Sequence, residues 1–178
     1  TGLLVRLGVA DTPVRIVTNG VSEYYLDAPS QGEIDHVRAR FGLAPHRPML
    51  LFMGSLHSYK GVDVFLQSLS LLDVDCHAVI AGSFKHANEP TALMDAVGVS
   101  DEVRRRVTFT GAVSDAELRA LYGLADVFVY PTRGDTLPLV VLEAMACGAP
   151  IVSTTIGGIP FEVTAECGML TAPDDPAG

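Results

Sequence analysis

Residues Val127 to Pro160 read VFVYPTRGDTLPLVVLEAMACGAPIVSTTIGGIP. Val127 to Tyr130 is a short apolar run of β-branched and aromatic residues, the composition of a buried strand. Pro131 and Gly134 break it and open a loop. Asp135 or Thr136 is expected to cap the helix that follows, and Pro138 suits its first turn, where no backbone N–H is needed. Leu139 to Ala146 has the make-up of a mostly apolar helix, stopped by Gly148 and Pro150. Ile151, Val152 and Ser153 begin another buried strand. Gly157 and Gly158 then permit a tight turn or a close backbone approach.

Two carboxylates interrupt this stretch, Asp135 at the helix mouth and Glu143 two turns in, with seven residues between them. A carboxylate among Leu142, Ala144 and Met145 is costly to bury unless something donates to it. The bland reading of Glu143 is a charge at the edge of the core. The other reading starts from the helix mouth, whose free N–H groups and partial positive charge suit a phosphate. Carboxylates accept hydrogen bonds from sugar hydroxyls, so the stretch has the chemistry to hold a molecule carrying both phosphate and sugar.

A second stretch has related properties. Met49 to Met53 is five consecutive apolar residues, a buried strand, followed by GSLHSYKG from Gly54 to Gly61 and a helix from Val62 to Leu72. Strand, polar loop and helix form a phosphate site in principle. The loop has neither the GxxxxGK[ST] pattern of a P-loop nor GxGxxG. Taken alone, Lys60 reads as a surface lysine and His57 as a loop residue.

LEAMACGAPIVSTTIGGIP resembles the donor-binding signature of retaining nucleotide-sugar glycosyltransferases of the GT-B fold, of the glycosyltransferase family 4-like, Glu-x7-Glu type. Asp135 stands where that family carries its first glutamate, and Phe161 precedes Glu162 after Pro160. Gly54, Leu56, Lys60 and Gly61 match the family's first loop, whereas Ser55 stands where an arginine is common. RIVTNGVSEYY resembles the element that joins the two halves of such enzymes. The similarity runs from about Arg15 to Pro173.

The resemblance implies a set of roles. Glu143 binds the ribose hydroxyls and Asp135 a hydroxyl of the transferred sugar. Backbone N–H groups from Thr136 to Leu139 (Thr136, Leu137, Pro138, Leu139) meet the sugar or distal phosphate. Lys60, helped by Ser55, stabilises charge on the leaving diphosphate. Thr110 and Val113 approach the nucleobase, while Gly54 and Gly82 let the backbone close on the ligand. It implies no metal and no cofactor, the substrate being a nucleotide diphosphate sugar, UDP- or GDP-linked. Residues 1–20 become an interdomain remnant and 21–178 the donor domain of a two-domain enzyme. The acceptor half is then absent and the isolated domain transfers little. A non-catalytic nucleotide-sugar-binding module or a related GT-B epimerase stays open as an alternative.

The remaining sequence fits the same architecture. Thr1 to Val9 reads as the tail of a helix, Arg15 to Thr18 as a brief strand and Asn19-Gly20 as a turn. Glu33 to Phe41 has helical spacing, Cys76 to Ala81 is a buried strand ending at Gly82, and Thr91 to Val97 is a short helix. Asp101 to Arg106 reads as a solvated helix end, because its adjacent arginines would point to different sides. Val107 to Phe109 is a strand before Gly111, and Ser114 with Glu117 forms a capping box. A helical turn is expected over Phe161 to Ala165 and a last strand over Gly168 to Leu170. Strands alternating with helices predict an α/β, doubly wound parallel sheet, Rossmann-like. Ligands bind such sheets at the carboxyl ends of the strands, where Gly54, Gly82, Gly111 and the Pro131–Asp135 loop all fall.

With 178 residues and 48% hydrophobic content the chain has enough for one domain with a sizeable core. A net charge of −9 argues against a nucleic-acid partner. Cys76, Cys147 and Cys167 lack metal-ligand spacing, and reduced thiols in a cytoplasmic protein are the simplest account. No apolar run reaches the roughly 18 residues of a membrane span. Any peripheral membrane association is expected to run through the absent half.

Overall fold

The computed structural model describes residues 17–84 and 86–178. The helix tail expected over Thr1 to Val9, and Arg15 and Ile16 of the strand expected over Arg15 to Thr18, lie outside the described residues, while Val17 and Thr18 carry no strand. Among the described residues six strands form one parallel sheet, in the order β3-β2-β1-β4-β5-β6. They are β1 Met49–Met53, β2 His77–Ala81, β3 Val107–Gly111, β4 Val127–Tyr130, β5 Ile151–Thr154 and β6 Gly168–Thr171. Sequence order reverses between β1 and β4, which makes that boundary the switch point of a doubly wound sheet.

Helices connect the strands: α1 Gln31–Phe41 before β1, α2 Val62–Leu69, α3 Glu89–Val97, α4 Asp101–Arg106, α5 Asp115–Leu124, α6 Leu139–Ala146 and α7 Ile159–Glu162. Every residue of β2 is buried, as expected of a strand covered on both faces. Leu51 pairs with Val79 on one side and Phe128 on the other, placing these buried side chains at the centre of the sheet. The rings of Phe52, Phe65, Phe128 and Tyr130 pack together there, Phe128 and Tyr130 with centroids 6.0 Å apart.

Helix starts follow local chemistry. Ser114 and Glu117 form the expected capping box at α5, and Ser30 with Glu33 forms a second at α1. That second box starts α1 at Gln31, two residues before the expected Glu33. α2 stops at Leu69, earlier than the expected Leu72, and α7 begins at Ile159. α4 differs from its reading as a solvated end. Arg106 is 9% exposed and donates to the carbonyls of Leu69 and Val74, while Arg104 pairs with Asp95. Peptide carbonyls left at the end of α2 and in the following loop supply acceptors that the sequence spacing does not reveal.

Candidate functional site

The strand tips interlock. Gly54 donates its N–H to Ala81 O and Gly82 donates to Gly111 O, so the ends of β1, β2 and β3 close into one rim. A Cβ on Gly82, whose φ is 143°, would lie 2.0 Å from Gly54 O. Only glycine permits that approach. Between β2 and β3 the register slips at Ile80/Ala81, so that Ala81 pairs with Gly111 and Thr110 becomes the extra residue of a bulge. Thr110 Oγ1 donates to Gly111 O at 2.8 Å. Val113 lies just beyond and packs on the core.

The loop after β1 is locked to the loop after β4 across the switch point. Ser58–Lys60 forms a single 3-10 turn that ends at Gly61, φ 76°. A Cβ on Gly61 would fall 1.8 Å from Pro131 O. Arg133 N–H donates to Tyr59 O at 2.7 Å, and the Arg133 guanidinium donates to Ser58 O. That guanidinium also grips both carboxylate oxygens of Asp63 at 2.8 Å and reaches Asp174 at 2.5 Å. From the other side, buried Ser153 and Thr154 on β5 donate to the carbonyls of Tyr130 and Thr132, each at 2.7 Å. Asn19 Nδ2 donates to Leu137 O at 2.9 Å and ties the first described segment to the same loop.

Lys60 and Asp135 meet inside this frame. Lys60 Nζ donates to Asp135 Oδ1 at 2.7 Å and to the Tyr130 hydroxyl at 2.9 Å. The Tyr130 hydroxyl in turn donates to Asp135 Oδ2 at 2.9 Å. Thr132 Oγ1 lies 2.6 Å from the same oxygen and 3.1 Å from Tyr59 O. With one proton to give, it donates over the shorter path to the carboxylate. Burial works against both charges, yet the mutual hydrogen bonds outweigh it. Lys60 is therefore held above the ordinary lysine range and Asp135 below the ordinary aspartate range. Burial and the Asp135 charge push the Tyr130 phenol up to about 12 even though Lys60 opposes them.

Asp135 is thus not the cap of α6. The N-cap is Pro138, and no side chain caps the helix. Pro138 also has no N–H, so of the residues expected to donate at the helix mouth only Thr136, Leu137 and Leu139 are equipped to. Glu143 is the fifth residue of α6, nearer the mouth than expected. It is half-buried and accepts a hydrogen bond from Tyr122 of α5 at 3.1 Å. Burial holds its carboxyl above the usual range, with Tyr122 opposing and Asp115 adding to the shift.

Ser55 lines a cavity of about 260 Å³ on the β1–β2 side with Leu56, Ser83, Phe84 and Leu93. A larger cavity, about 470 Å³, opens between the starts of α1 and α5. Its acids, Glu33 and Glu117, are already engaged by Ser30, Ser114, Arg119 and Arg40, which leaves little there for a ligand. Among the described residues no group of three His, Cys, Asp or Glu side chains could hold a metal ion. No described helix is long and apolar enough to cross a membrane.

Tyr130, Thr132, Arg133, Tyr122 and Asn19 escaped the sequence reading. Tyr130 left a faint sign: it puts a hydroxyl at the last position of an otherwise apolar strand, at the end where ligands bind. Arg133 left none, because its partners are 70 and 41 residues away.

Comparison with known proteins settles the kinship. Residues 47–178 match the family model for Glycosyl transferases group 1. The chain belongs to the group 1 glycosyltransferases. D-inositol 3-phosphate glycosyltransferase of Mycolicibacterium smegmatis is 34% identical over 166 residues, which cover 90% of this chain and 36% of that protein. Sucrose-phosphate synthase from Thermosynechococcus elongatus superposes with a TM-score of 0.75 at 25% identity, over 98% of this chain and 44% of that one. HepE from Anabaena, solved with UDP-glucose, superposes with a TM-score of 0.78 at 21% identity, over 98% and 48%. The expected GT-B fold, in its C-terminal half, is therefore the observed one. The chain spans less than half the length of the curated relatives it matches.

Proposed function

We propose that this group 1 glycosyltransferase chain is the donor-binding half of a retaining enzyme that takes a sugar from a nucleotide diphosphate sugar. The observation that carries this is the placement of Lys60 and Asp135 on the two loops that flank the switch point, beside the uncapped start of α6. Glu143 lies one turn into that helix. In this reading the ribose hydroxyls donate to Glu143. The diphosphate lies along the strand tips, where Gly54 and Gly82 let it approach the backbone, Ser55 donates a neutral hydrogen bond and Lys60 supplies the charge. Thr110 and Val113 border the base. The N–H groups of Thr136, Leu137 and Leu139 face the sugar or distal phosphate at the positive end of α6.

Lys60 has the chemistry for the leaving group. As the sugar–oxygen bond breaks, negative charge grows on the diphosphate, and an ammonium already fixed in place stabilises it without reorganising. The donor is a UDP- or GDP-sugar, and support for UDP comes from the solved HepE complexes, whose fold this chain shares. Residues 21–178 form the donor domain, and a second domain brings the acceptor, so this half alone transfers little. The parent enzyme works in the cytoplasm.

Titration of the protein with UDP, GDP and ADP by calorimetry, with amide signals followed around Lys60 and Glu143, tests the reading. One nucleotide is expected to bind and move both sets of signals. If saturating amounts of all three leave them unmoved, the donor assignment fails.

A further inference from the structure

The Asp135 carboxylate is already engaged by three side chains. An ionised carboxylate offers about four acceptor sites on its two oxygens. Three are taken: Lys60 Nζ on Oδ1, and the Tyr130 and Thr132 hydroxyls on Oδ2. All three donors come from the frame and none is a loose surface group. Tyr130 and Thr132 are 1% and 0% exposed, and the Lys60 and Asp135 side chains are 18% and 16% exposed. A sugar hydroxyl would have to displace one of these donors or share the oxygen already bound to the ammonium. Lys60 stands otherwise. Two of its three N–H bonds go to Tyr130 and Asp135, and the Tyr59 and Tyr130 rings lie 5.0 and 5.6 Å from its nitrogen. The third N–H is left to point at a ligand.

We propose that Asp135, with Tyr130 and Thr132, is built to hold the Lys60 ammonium in one place and does not bind the transferred sugar. These three are positioning residues, and Lys60 is the group that meets the donor. The inference rests on the donor reading above and sharpens it: selectivity for the sugar comes from other residues, the α6 mouth foremost. The one-methylene-shorter acid fits this task. It draws the carboxylate back to Thr132, three residues earlier in the same loop, and to the end of β4.

The test compares UDP with UDP-glucose. Calorimetric affinities for both are measured in the wild-type protein and in Asp135→Asn and Tyr130→Phe. The Lys60 Nζ signal is followed by NMR without ligand in the same three proteins. A positioning role changes the two affinities by the same factor, leaving their ratio as in wild type. It also gives a slowly exchanging Lys60 ammonium in wild type that is lost in Asp135→Asn and weakened in Tyr130→Phe. A sugar ligand instead loses UDP-glucose by about tenfold in Asp135→Asn and leaves UDP alone. That outcome overturns the proposal, as does a Lys60 signal identical in wild type and both variants. A wild-type protein that binds neither of these, nor GDP or ADP, defeats the donor reading, while the lysine signal still decides whether Asp135 and Tyr130 hold Lys60. Tyr130→Phe keeps the ring packing, so its result does not depend on whether Asp135→Asn folds.

Discussion

Lys60 Nζ and Asp135 Oδ1 lie 2.7 Å apart, joined across the β1–β4 boundary by residues 75 positions distant in the chain. The contact closes the gap between two loops that belong to different halves of the sheet. It also places one positive and one negative charge where strand order reverses, so the rim gains a fixed ammonium at almost no net charge. That arrangement suits a group that must be ready before the substrate arrives.

Lys60→Ala removes the cation and leaves Asp135 with only two neutral donors. We expect a loss of about 1–3 kcal/mol in denaturant unfolding at neutral pH, nearer the lower figure because solvent at the rim screens the pair. Nucleotide diphosphate affinity is expected to fall by about tenfold or more in calorimetry. Unchanged affinity would remove Lys60 from the site.

The pair also sets an acid limit. Asp135 is depressed in the folded state, so its contribution is present above the unfolded aspartate value of about 3.9 and is lost as pH falls through the lower folded value. Lys60 is raised, so its contribution is complete below about 10.4 and is lost as pH rises through the higher folded value. The stability difference between wild type and Asp135→Asn is therefore expected to be flat near neutrality and to shrink at strongly acid pH. Unfolding curves taken from neutral to strongly acid pH check this, and a constant difference would count against the pairing.

Glu143→Gln has opposite effects on stability and binding. Burial raises the Glu143 carboxyl, so its ionised form costs stability at neutral pH, and the neutral amide relieves that cost. The variant is expected to unfold at slightly higher denaturant than wild type. It should bind nucleotide about tenfold more weakly, because an acceptor for ribose hydroxyls is halved. Wild-type binding should also weaken on acidification at a pH above the ordinary glutamate range, a trend that Glu143→Gln lacks. Equal binding by both proteins would assign Glu143 to structure alone.

Arg133→Lys keeps the charge but cannot reproduce the fork on Asp63 or reach Ser58 O and Asp174 together. Stability is expected to fall by about 1–2 kcal/mol. Amide exchange should quicken in the 58–61 and 131–135 segments. Protection that stays as in wild type would show that Arg133 does not lock the loops.

Gly61→Ala forces a side chain into the left-handed region and drives its Cβ to within 1.8 Å of Pro131 O. Neither backbone can yield without opening the lock, so a loss of more than about 3 kcal/mol is expected from thermal or denaturant unfolding. A near-neutral result would mean that the two loops do not meet in solution.

The strand–helix alternation was legible because it is a local property. Val127–Tyr130 and Leu139–Ala146 fall where the apolar runs put them, and Ser114 with Glu117 caps α5 through contacts three residues apart. Gly82, at the end of β2, was equally readable as a site of close approach. Less was legible where a polar side chain had to choose a partner. Asp135 or Thr136 was expected to cap α6, but the N-cap is Pro138, and the Lys60, Tyr130 and Thr132 donors hold Asp135 instead. Arg106 was expected in solvent, but it is buried against carbonyls from residues 69 and 74.

By itself the sequence determined the class of fold, the order of its elements and the rim where glycines and charged loops gather, because hydrophobic periodicity and turn chemistry act over a few residues. Tertiary structure alone decided which atoms meet at that rim. A carboxylate takes whichever donors stand within hydrogen-bond reach, and three-dimensional packing brought a lysine from 75 residues away as close to Asp135 as its own neighbours in the loop.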